Sequence, residues 1–395
     1  MRAGAEEAAD NSAVFVHDEH ARFRHTVPAD VAIVIVNYNS GEYLPGCIES
    51  LAPARQDGVV AEVVVVDCAS PIDQGVHLAA AAANGARIER LSANVGYAGG
   101  CNRGLALTRA PYVVFLNADV KACAGAVASL RAFLAERPDV GLAEPRCFID
   151  DGKDWRQPVF EPPTPGRLLS AAVQRRAPFV ARAAEHARLR RQVAAWQATA
   201  PRELDGLSGA FLAARRVTLD RVGGFDEGYP LAYEDTDLFR RVRRIGLRLA
   251  MVPAAEAIHY AHRSRVTVLA EALAKDAFGR ERYLRTHHGR LAVWLDRVGR
   301  SAGTPSRARK PVVDLGPATA PVELALTGPP GPFVLQLAYD PSFAVYAGHL
   351  GSGDRYCFPV ASWRSLLPTA LHVRACALPS LAPRGAWTFR RAGGA

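Results

Sequence analysis

Between residues 31 and 120 the chain alternates short, wholly apolar runs with segments in which apolar residues recur every three or four positions. "VAIVIV" (31–36), "EVVVVD" (62–67) and "YVVFLNAD" (112–119) are expected as buried strands. Between the first two, "EYLPGCIESL" sets Leu44, Cys47, Ile48 and Leu51 on one helical face. Alternation of this kind predicts an α/β domain beginning near residue 30. Each strand ends in a polar residue, and in open α/β sheets ligands bind at the carboxyl ends of strands. Asn37, Asp67, Asn117 and Asp119 are therefore candidates by position as well as by type.

The pattern fades after Asp151 into a Pro-rich segment (158–165) and then an Ala/Arg-rich helical stretch. That stretch holds Arg167, Arg175, Arg176, Arg182, Arg188, Arg190 and Arg191 against Glu185 alone. A solvated helix is the plainer reading of it, and a phosphate or membrane-surface contact the other. Strand and helix patterns resume at "GAFLAARRVTLDRVGGFD" (209–226). Farther on, Leu238, Val242 and Ile245 recur at spacings of four and three, which predicts a helix from about Glu234. Residues 266–298 read as helix. From about 302 the texture changes to short β-type runs, "VELAL", "FVLQLAY" and "LHVRACAL", between Gly and Pro clusters. The expected organisation is an N-terminal extension (1–29), an α/β domain (30–265) with an Arg-rich helical insertion at about 160–200, a helical segment (266–301) and a small β-rich C-terminal domain (302–395).

Composition narrows the function classes. The 395 residues, 49% hydrophobic, are enough for a substantial core. A formal charge of +9 favours anionic partners, although nearly all of it is arginine, with lysine only at Lys121, Lys153, Lys275 and Lys310. Seven cysteines without a C-x-x-C pair read as buried free thiols in a reducing cytosol. The acidic N-terminal stretch lacks the apolar centre of a signal peptide, and no apolar run reaches the ~20 residues of a membrane span. A cytoplasmic protein is expected, with at most a peripheral contact at the inner face of the membrane.

Candidate chemistry concentrates at four places. The glycine loop "NVGYAGGCNRG" (94–104) does not follow the first strand and lacks G-x-G-x-x-G spacing, and no G-K-[ST] occurs, so neither a Rossmann nor a Walker phosphate loop is present. "LNAD" (116–119) puts Asn117 and Asp119 at i and i+2 after a strand, which suits a hard cation bridging to a diphosphate and equally suits an Asx turn. In "YEDTDLFRR" (233–241), Glu234, Asp235 and Asp237 occupy the first turn of the predicted helix, where carboxylates complement its dipole. Asp226, in "GGFDE", has a turn or cap as its plain reading. His259 ends a short apolar strand with His262 three residues later, and Asp119 is its available acid partner if the strand ends converge.

Taken in order, "VNYN" (36–39), "VDCAS" (66–70), "NVGYAGGCNRG", "LNAD", "GGFDE" (223–227), "EDTDLFRRVRRIG" (234–246) and His259 followed by Ser264 resemble the nucleotide-sugar glycosyltransferases of family 2, and particularly the bacterial rhamnosyltransferase-like branch. The resemblance covers about 30–265. It implies a GT-A fold, a Rossmann-like mixed sheet flanked by helices, with the C-terminal all-β module outside it. It further implies that Asn37, Asn39 and Asp67 hold the base and ribose of the donor, and that Asn94, Gly96 and Asn117 line the nucleotide. Asp119 and His259 would hold a divalent metal, Mg²⁺ or Mn²⁺, and Asp235 would be the general base. Glu234 and Asp237 would face donor or acceptor sugar, or else hold the helix, and Asp226 would face donor or acceptor sugar. The implied partners are a nucleoside diphosphate sugar and a glycan, lipid-linked or small-molecule acceptor, without nucleic acid; the C-terminal domain could serve an oligomer.

The chain departs from the family pattern at three points. Cys68 replaces an Asn, Asn117 replaces an Asp and so leaves one carboxylate in the metal motif, and "GYPLAYED" lacks paired aromatics before the acids. Two other classes stay open: a nucleotidyltransferase, which should carry a Gly-rich basic loop where "NYNSGEYL" stands, and a non-catalytic sugar- or nucleotide-binding scaffold.

Overall fold

The computed structural model describes residues 30–260, 269–301 and 312–392. The expected N-terminal extension, His262, Ser264 and the linker 302–311 lie outside the described residues. The first part of the chain runs β1 (Val31–Asn37), α1 (Leu44–Ser50), α2 (Ala52–Gln56), β2 (Val60–Asp67), α3 (Gly75–Ala83), β3 (Arg87–Arg90), α4 (Gly96–Ala106), β4 (Tyr112–Asn117), β5 (Val120–Ala122), α5 (Ala126–Glu136) and β6 (Val140–Phe148). Two insertion helices follow, α6 (Pro165–Arg176) and α7 (Pro178–Trp196), then β7 (Arg202–Glu203), β8 (Phe211–Arg215), α8 (Arg216–Val222), α9 (Glu234–Arg244), β9 (Arg248–His259) and α10 (Leu269–Ser301).

These strands form one mixed sheet ordered β3-β2-β1-β4-β8-β6-β9-β5, with β7 paired to β9. β1 lies parallel to β2 and β4, whereas β8 runs antiparallel to β4. Successive residues of β1 face opposite sides. Ile33 and Ile35 join Leu44, Cys47, Ile48 and Leu130 in one core layer, and Val34 joins Phe115, Leu212, Leu238 and Phe239 in the other. Both faces are therefore covered, which is why β1 is apolar throughout. Helix α4 sits close on β1 because Gly104 carries no side chain, and a Cβ there would overlap Val34. The mixed α/β sheet read from the sequence is thus present, and the three expected strands differ from their elements only at the ends.

The C-terminal part comprises β10 (Val313–Ala318), β11 (Glu323–Ala325), β12 (Gly331–Ala338), β13 (Ala347–Gly353), β14 (Arg355–Cys357), α11 (Val360–Ser365), β15 (Ala370–Ala377) and β16 (Pro383–Arg391). A five-stranded sheet, β10-β16-β15-β12-β13, and a small β11-β14 pair make up its strands. Its core is not self-contained, since Trp155, from the first part of the chain, lies fully buried among Phe333, Tyr356, Phe358 and Trp363.

The Arg-rich stretch departs from the solvated-helix expectation on one face. Leu189, Val193 and Trp196 of α7 pack against Val334, Phe343, Tyr346 and Leu381 of the β-module. Arg374 donates to Glu185 at 2.7 Å, and Arg188 donates to the Ala344 carbonyl at 2.7 Å. Helix α10 breaks at Gly289 (φ 80°) into two limbs, which the Arg280–Asp296 ion pair ties together at 2.8 Å.

Candidate active site

At the carboxyl ends of β1 and β2 the paired residues Asn37 and Asp67 are both buried. The Asn37 amide donates to Asp67 Oδ1 at 2.7 Å, and Ser70 Oγ donates to the same oxygen at 2.6 Å. Asn39, at φ 54°, donates its backbone N–H to Ser70 Oγ, while its side-chain oxygen caps the Ile72 amide. The three predicted residues therefore form one bonded cluster. Its accepting centre, Asp67, lies at the sheet edge where a sugar hydroxyl of a nucleoside could be received.

One strand over, Val36 pairs with Asn117 in the β1–β4 ladder, so the LNAD turn emerges beside Asn37. Asp119 is buried, with Oδ1 3.6 Å from His259 Nε2 and Oδ2 lacking a hydrogen-bond partner. The convergence expected from sequence comes from the β5–β9 pairing, which places Val120 opposite His259. A buried carboxylate oxygen without a donor is costly unless something satisfies it. One carboxylate oxygen and one imidazole nitrogen form a donor set that fits Mg²⁺ or Mn²⁺ completed by diphosphate oxygens and water. Among the described residues no group of three or more His, Cys, Asp or Glu side chains could hold a metal by itself. Burial, and then the charge of Asp119, push the thiol of nearby Cys47 well above its ordinary value.

Asp235 opens α9, half-buried, with Oδ1 accepting from the Thr236 amide at 2.5 Å and from Thr236 Oγ1 at 3.0 Å. Its other oxygen lies against Gly209, where an added Cβ would come within 2.8 Å of Oδ2. Gly209 directly precedes Ala210, whose carbonyl accepts the Asn117 amide at 2.9 Å, so Asp235 rests on the chain segment beside the LNAD turn. The residues feeding into it, Ala232 and Tyr233, both have positive φ, 63° and 69°. Such conformations cost roughly 1–3 kcal/mol each and persist where the surroundings impose them. Here Arg280 of α10 donates to Tyr233 Oη at 2.9 Å.

The remaining acids of this segment point elsewhere. Asp237 is two residues, about 200° of helix, from Asp235, and binds Arg241 Nε at 2.6 Å and His287 Nε2 at 2.7 Å. Burial raises its pKa, but the His287 hydrogen bond and the Arg241 charge outweigh this and hold the carboxyl below the ordinary carboxylate range. Arg241 also donates to the carbonyls of Val222 and Gly224, both at 2.7 Å, fixing the "GGFDE" loop. Asp226 accepts from the Gly228 amide and from Arg282, each at 2.9 Å. Asp237 and Asp226 thus tie α9 and its preceding loop to α10. Glu234 is buried.

The glycine loop closes the constellation. Asn94 caps the Gly96 amide at 2.8 Å, Gly96 lies beneath the Pro230 carbonyl, and Tyr97 Oη donates to the Gly209 carbonyl at 3.1 Å. Three residues absent from the sequence reading also belong here. Gln157 Oε1 is 3.2 Å from His259 Nδ1, its amide donates to Ser208 Oγ at 3.1 Å, and the Ser208 backbone N–H donates to the buried Glu144 at 2.5 Å. No local motif marks them, because their contacts join segments 50 to 100 positions apart.

The model of the family described as glycosyl transferase family 2 matches residues 32–196. The rhamnosyltransferase WbbL of Escherichia coli (strain K12) is 40% identical over 81 residues, 20% of this chain and 31% of that protein. The N-acetylglucosaminyl-diphospho-decaprenol L-rhamnosyltransferase of Mycobacterium tuberculosis (strain ATCC 25618 / H37Rv) is 27% identical over 239 residues, 58% of this chain and 75% of that protein. The match therefore spans about a third of the first relative's length and three quarters of the second's. Among solved structures, glucosyl-3-phosphoglycerate synthase from Mycobacterium tuberculosis, in complex with Mn²⁺, UDP and glucosyl-3-phosphoglycerate, aligns with a TM-score of 0.42 at 20% identity, over 65% of this chain and 79% of that one.

Proposed function

We propose that the chain, whose residues 32–196 match the glycosyl transferase family 2 model, is a metal-dependent, inverting glycosyltransferase acting on a nucleoside diphosphate sugar. The observation that carries the metal-dependent reading is the Asp119–His259 pair, 3.6 Å apart at the end of β4 and β9, with one buried Asp119 oxygen still without a partner. The Asn37–Asp67–Ser70 cluster receives the nucleoside. Asp119 and His259 hold the divalent ion, which when bound neutralises charge building on the departing diphosphate. Asp235 takes the proton from an acceptor hydroxyl as it attacks the anomeric carbon, on the face opposite the leaving group, and the configuration inverts. Proton removal by a positioned carboxylate contributes about 10²–10⁴-fold.

Similarity to two rhamnosyltransferases supports a deoxysugar such as rhamnose, carried on deoxythymidine diphosphate, as the favoured donor, with UDP-sugars next. The acceptor class is a hydroxyl of a glycan, of a lipid-linked glycan like that named for the mycobacterial relative, or of a small molecule. Among the described residues no helix is long and apolar enough to cross a membrane, so a lipid-linked acceptor would be met at a surface.

A panel of nucleotide sugars assayed for Mn²⁺-dependent transfer and hydrolysis tests the proposal. Asp235→Asn should lower kcat by about 10²–10⁴-fold with donor binding retained, and Asp119→Ala should abolish the response to Mn²⁺. Near-normal transfer by Asp235→Asn would remove it as the base. Binding of UDP or deoxythymidine diphosphate without turnover of any donor would favour a non-catalytic scaffold.

A further inference from the structure

The C-terminal β-module lies outside the matched family segment, yet it reaches the candidate metal site through a hairpin of the α/β domain. Residues 148–157 extend β6 and fold back, with the Gln157 amide donating to the Cys147 carbonyl at 2.8 Å and the Ile149 amide to the Trp155 carbonyl at 2.9 Å. Three consecutive residues at the end of this hairpin have three different attachments. Trp155 is buried in the core of the module. Arg156 exchanges two backbone hydrogen bonds with Gly348 of β13, at 2.8 and 2.9 Å. Gln157 contacts His259 Nδ1.

The module holds the hairpin tightly. Asp154 accepts from Tyr356 Oη at 2.9 Å and lies 3.4 Å from His349 Nδ1, and Ser362 Oγ reaches the same carboxylate at 3.4 Å. Trp196, whose ring packs against the module, donates its indole N–H to the Gln157 carbonyl at 3.0 Å. A second grip lies just past His259, where Tyr260 Oη donates to Asp151, and Asp151 is bonded through both its amide and its carboxylate to Ser365 of α11, each at 3.0 Å.

The chemistry of the Gln157 amide decides what this contact does. Its nitrogen donates to Ser208 Oγ, so its oxygen faces the imidazole, and that oxygen can only accept. The Nδ1 of His259 is therefore the nitrogen that donates to it, and with an ion bound the neutral ring turns its other nitrogen, Nε2, 3.6 Å from Asp119, to that ion. A ligating histidine whose other nitrogen is fixed in this way keeps its tautomer and ring orientation, and loss of such an outer partner typically costs 10–100-fold in metal affinity.

We propose that Gln157 is a positioning residue that fixes the tautomer and orientation of His259, and that the C-terminal β-module is a working part of the metal site because it holds the hairpin that carries Gln157. The inference rests on the metal-dependent reading above. It gives the module a role in the chemistry of the full chain without requiring it to touch donor or acceptor.

The test uses the full chain and Mn²⁺ alone, titrated by electron paramagnetic resonance of the free ion. Gln157→Leu removes the acceptor at similar volume and should weaken Mn²⁺ binding about 10–100-fold, with an unfolding midpoint close to that of the wild type. Gln157→Glu keeps an acceptor opposite Nδ1 and should retain wild-type affinity or better. With diamagnetic Mg²⁺ bound, long-range ¹H–¹⁵N correlation spectra should show His259, identified through His259→Gln, as the Nδ1–H tautomer, and the Leu variant should lose that signature. The module's part is read from Tyr356→Phe combined with Ser362→Ala, which should also weaken Mn²⁺ binding.

Wild-type Mn²⁺ affinity in Gln157→Leu overturns the positioning role, and wild-type affinity in the double variant overturns the module's share in it. A wild-type protein that binds no Mn²⁺ overturns the metal-dependent reading and the inference together. If the wild type binds, Asp119→Ala does not and Gln157→Leu does, only the inference falls.

Discussion

Glu144 on β6 shows how burial sets the chemistry of a single residue near the site. Its carboxyl is enclosed, and burial pushes its pKa from 4.5 to about 8, with the Ser208 backbone N–H only partly offsetting the shift. A folded-state value above the unfolded one means that the native protein keeps a proton the unfolded chain releases. Stability should therefore fall as pH rises from about 4.5 to about 8, by up to about 1.4 kcal/mol per pH unit, and be insensitive to this group below and above that window. Glu144→Gln keeps an acceptor for Ser208 and removes the titration. Urea unfolding should find the variant close to wild type near pH 4.5 and more stable at pH 8; an unchanged difference at the two pH values would show that Glu144 is not buried as an acid. Glu144 has no local signature, since its significance lies in Ser208, 64 positions away. Asn37, Asp67 and Asp119 were legible because strand ends announce themselves by an apolar run stopping at a polar residue.

At the scale of elements, the site depends on how closely α9 is laid over the segment before β8. The Asp235 carboxylate occupies the space that a side chain at position 209 would fill, with hypothetical Cβ distances of 2.8 Å to Oδ2 and 3.1 Å to the Asp235 Cβ. Gly209 is not among the residues with positive φ, so alanine suits the backbone and the conflict would be purely steric. Gly209→Ala should displace Asp235 and lower kcat by about 10²-fold, the typical cost of moving a reacting group by about 1 Å. Donor KM should change much less, because the Asn37–Asp67 cluster lies on other strands. Equal losses in kcat and in donor affinity would show that Gly209 matters for more than the position of Asp235, the proposed base. The α9 element was readable from sequence because Leu238 and Val242 form a buried stripe at helical spacing. Its close approach to Gly209 was not, because periodicity gives the face a helix buries and not the partner that face meets. For the same reason Asp235 could not be separated from Asp237 by residue type. The separation comes from His287 and Arg241, which bind Asp237 on the opposite side of the helix.

For the whole molecule, the change of texture from about residue 302 read as a small β-rich C-terminal domain, and the packing joins that domain's core to the rest of the chain. Trp155 supplies part of the module's core from the α/β half, and Leu189, Val193 and Trp196 of α7 cover another face of the module. Leu189, Val193 and Trp196 recur at spacings of four and three, so a buried face was present in the local pattern, but periodicity does not name the partner that face meets. If both halves depend on shared aromatic groups, neither can lose its core without exposing that of the other, and the chain should unfold as one cooperative unit. Denaturation followed by tryptophan fluorescence and by far-ultraviolet circular dichroism should then give coincident transitions. Truncating the buried indole by Trp155→Ala should cost about 3–5 kcal/mol and shift that single transition as a whole. The change lies in the α/β half, yet it should destabilise the C-terminal strands equally, as hydrogen exchange of the β12 and β15 amides would report. Two resolved transitions, or exchange in β12 and β15 unaffected by Trp155→Ala, would mean that the module folds alone and is only tethered to the α/β domain.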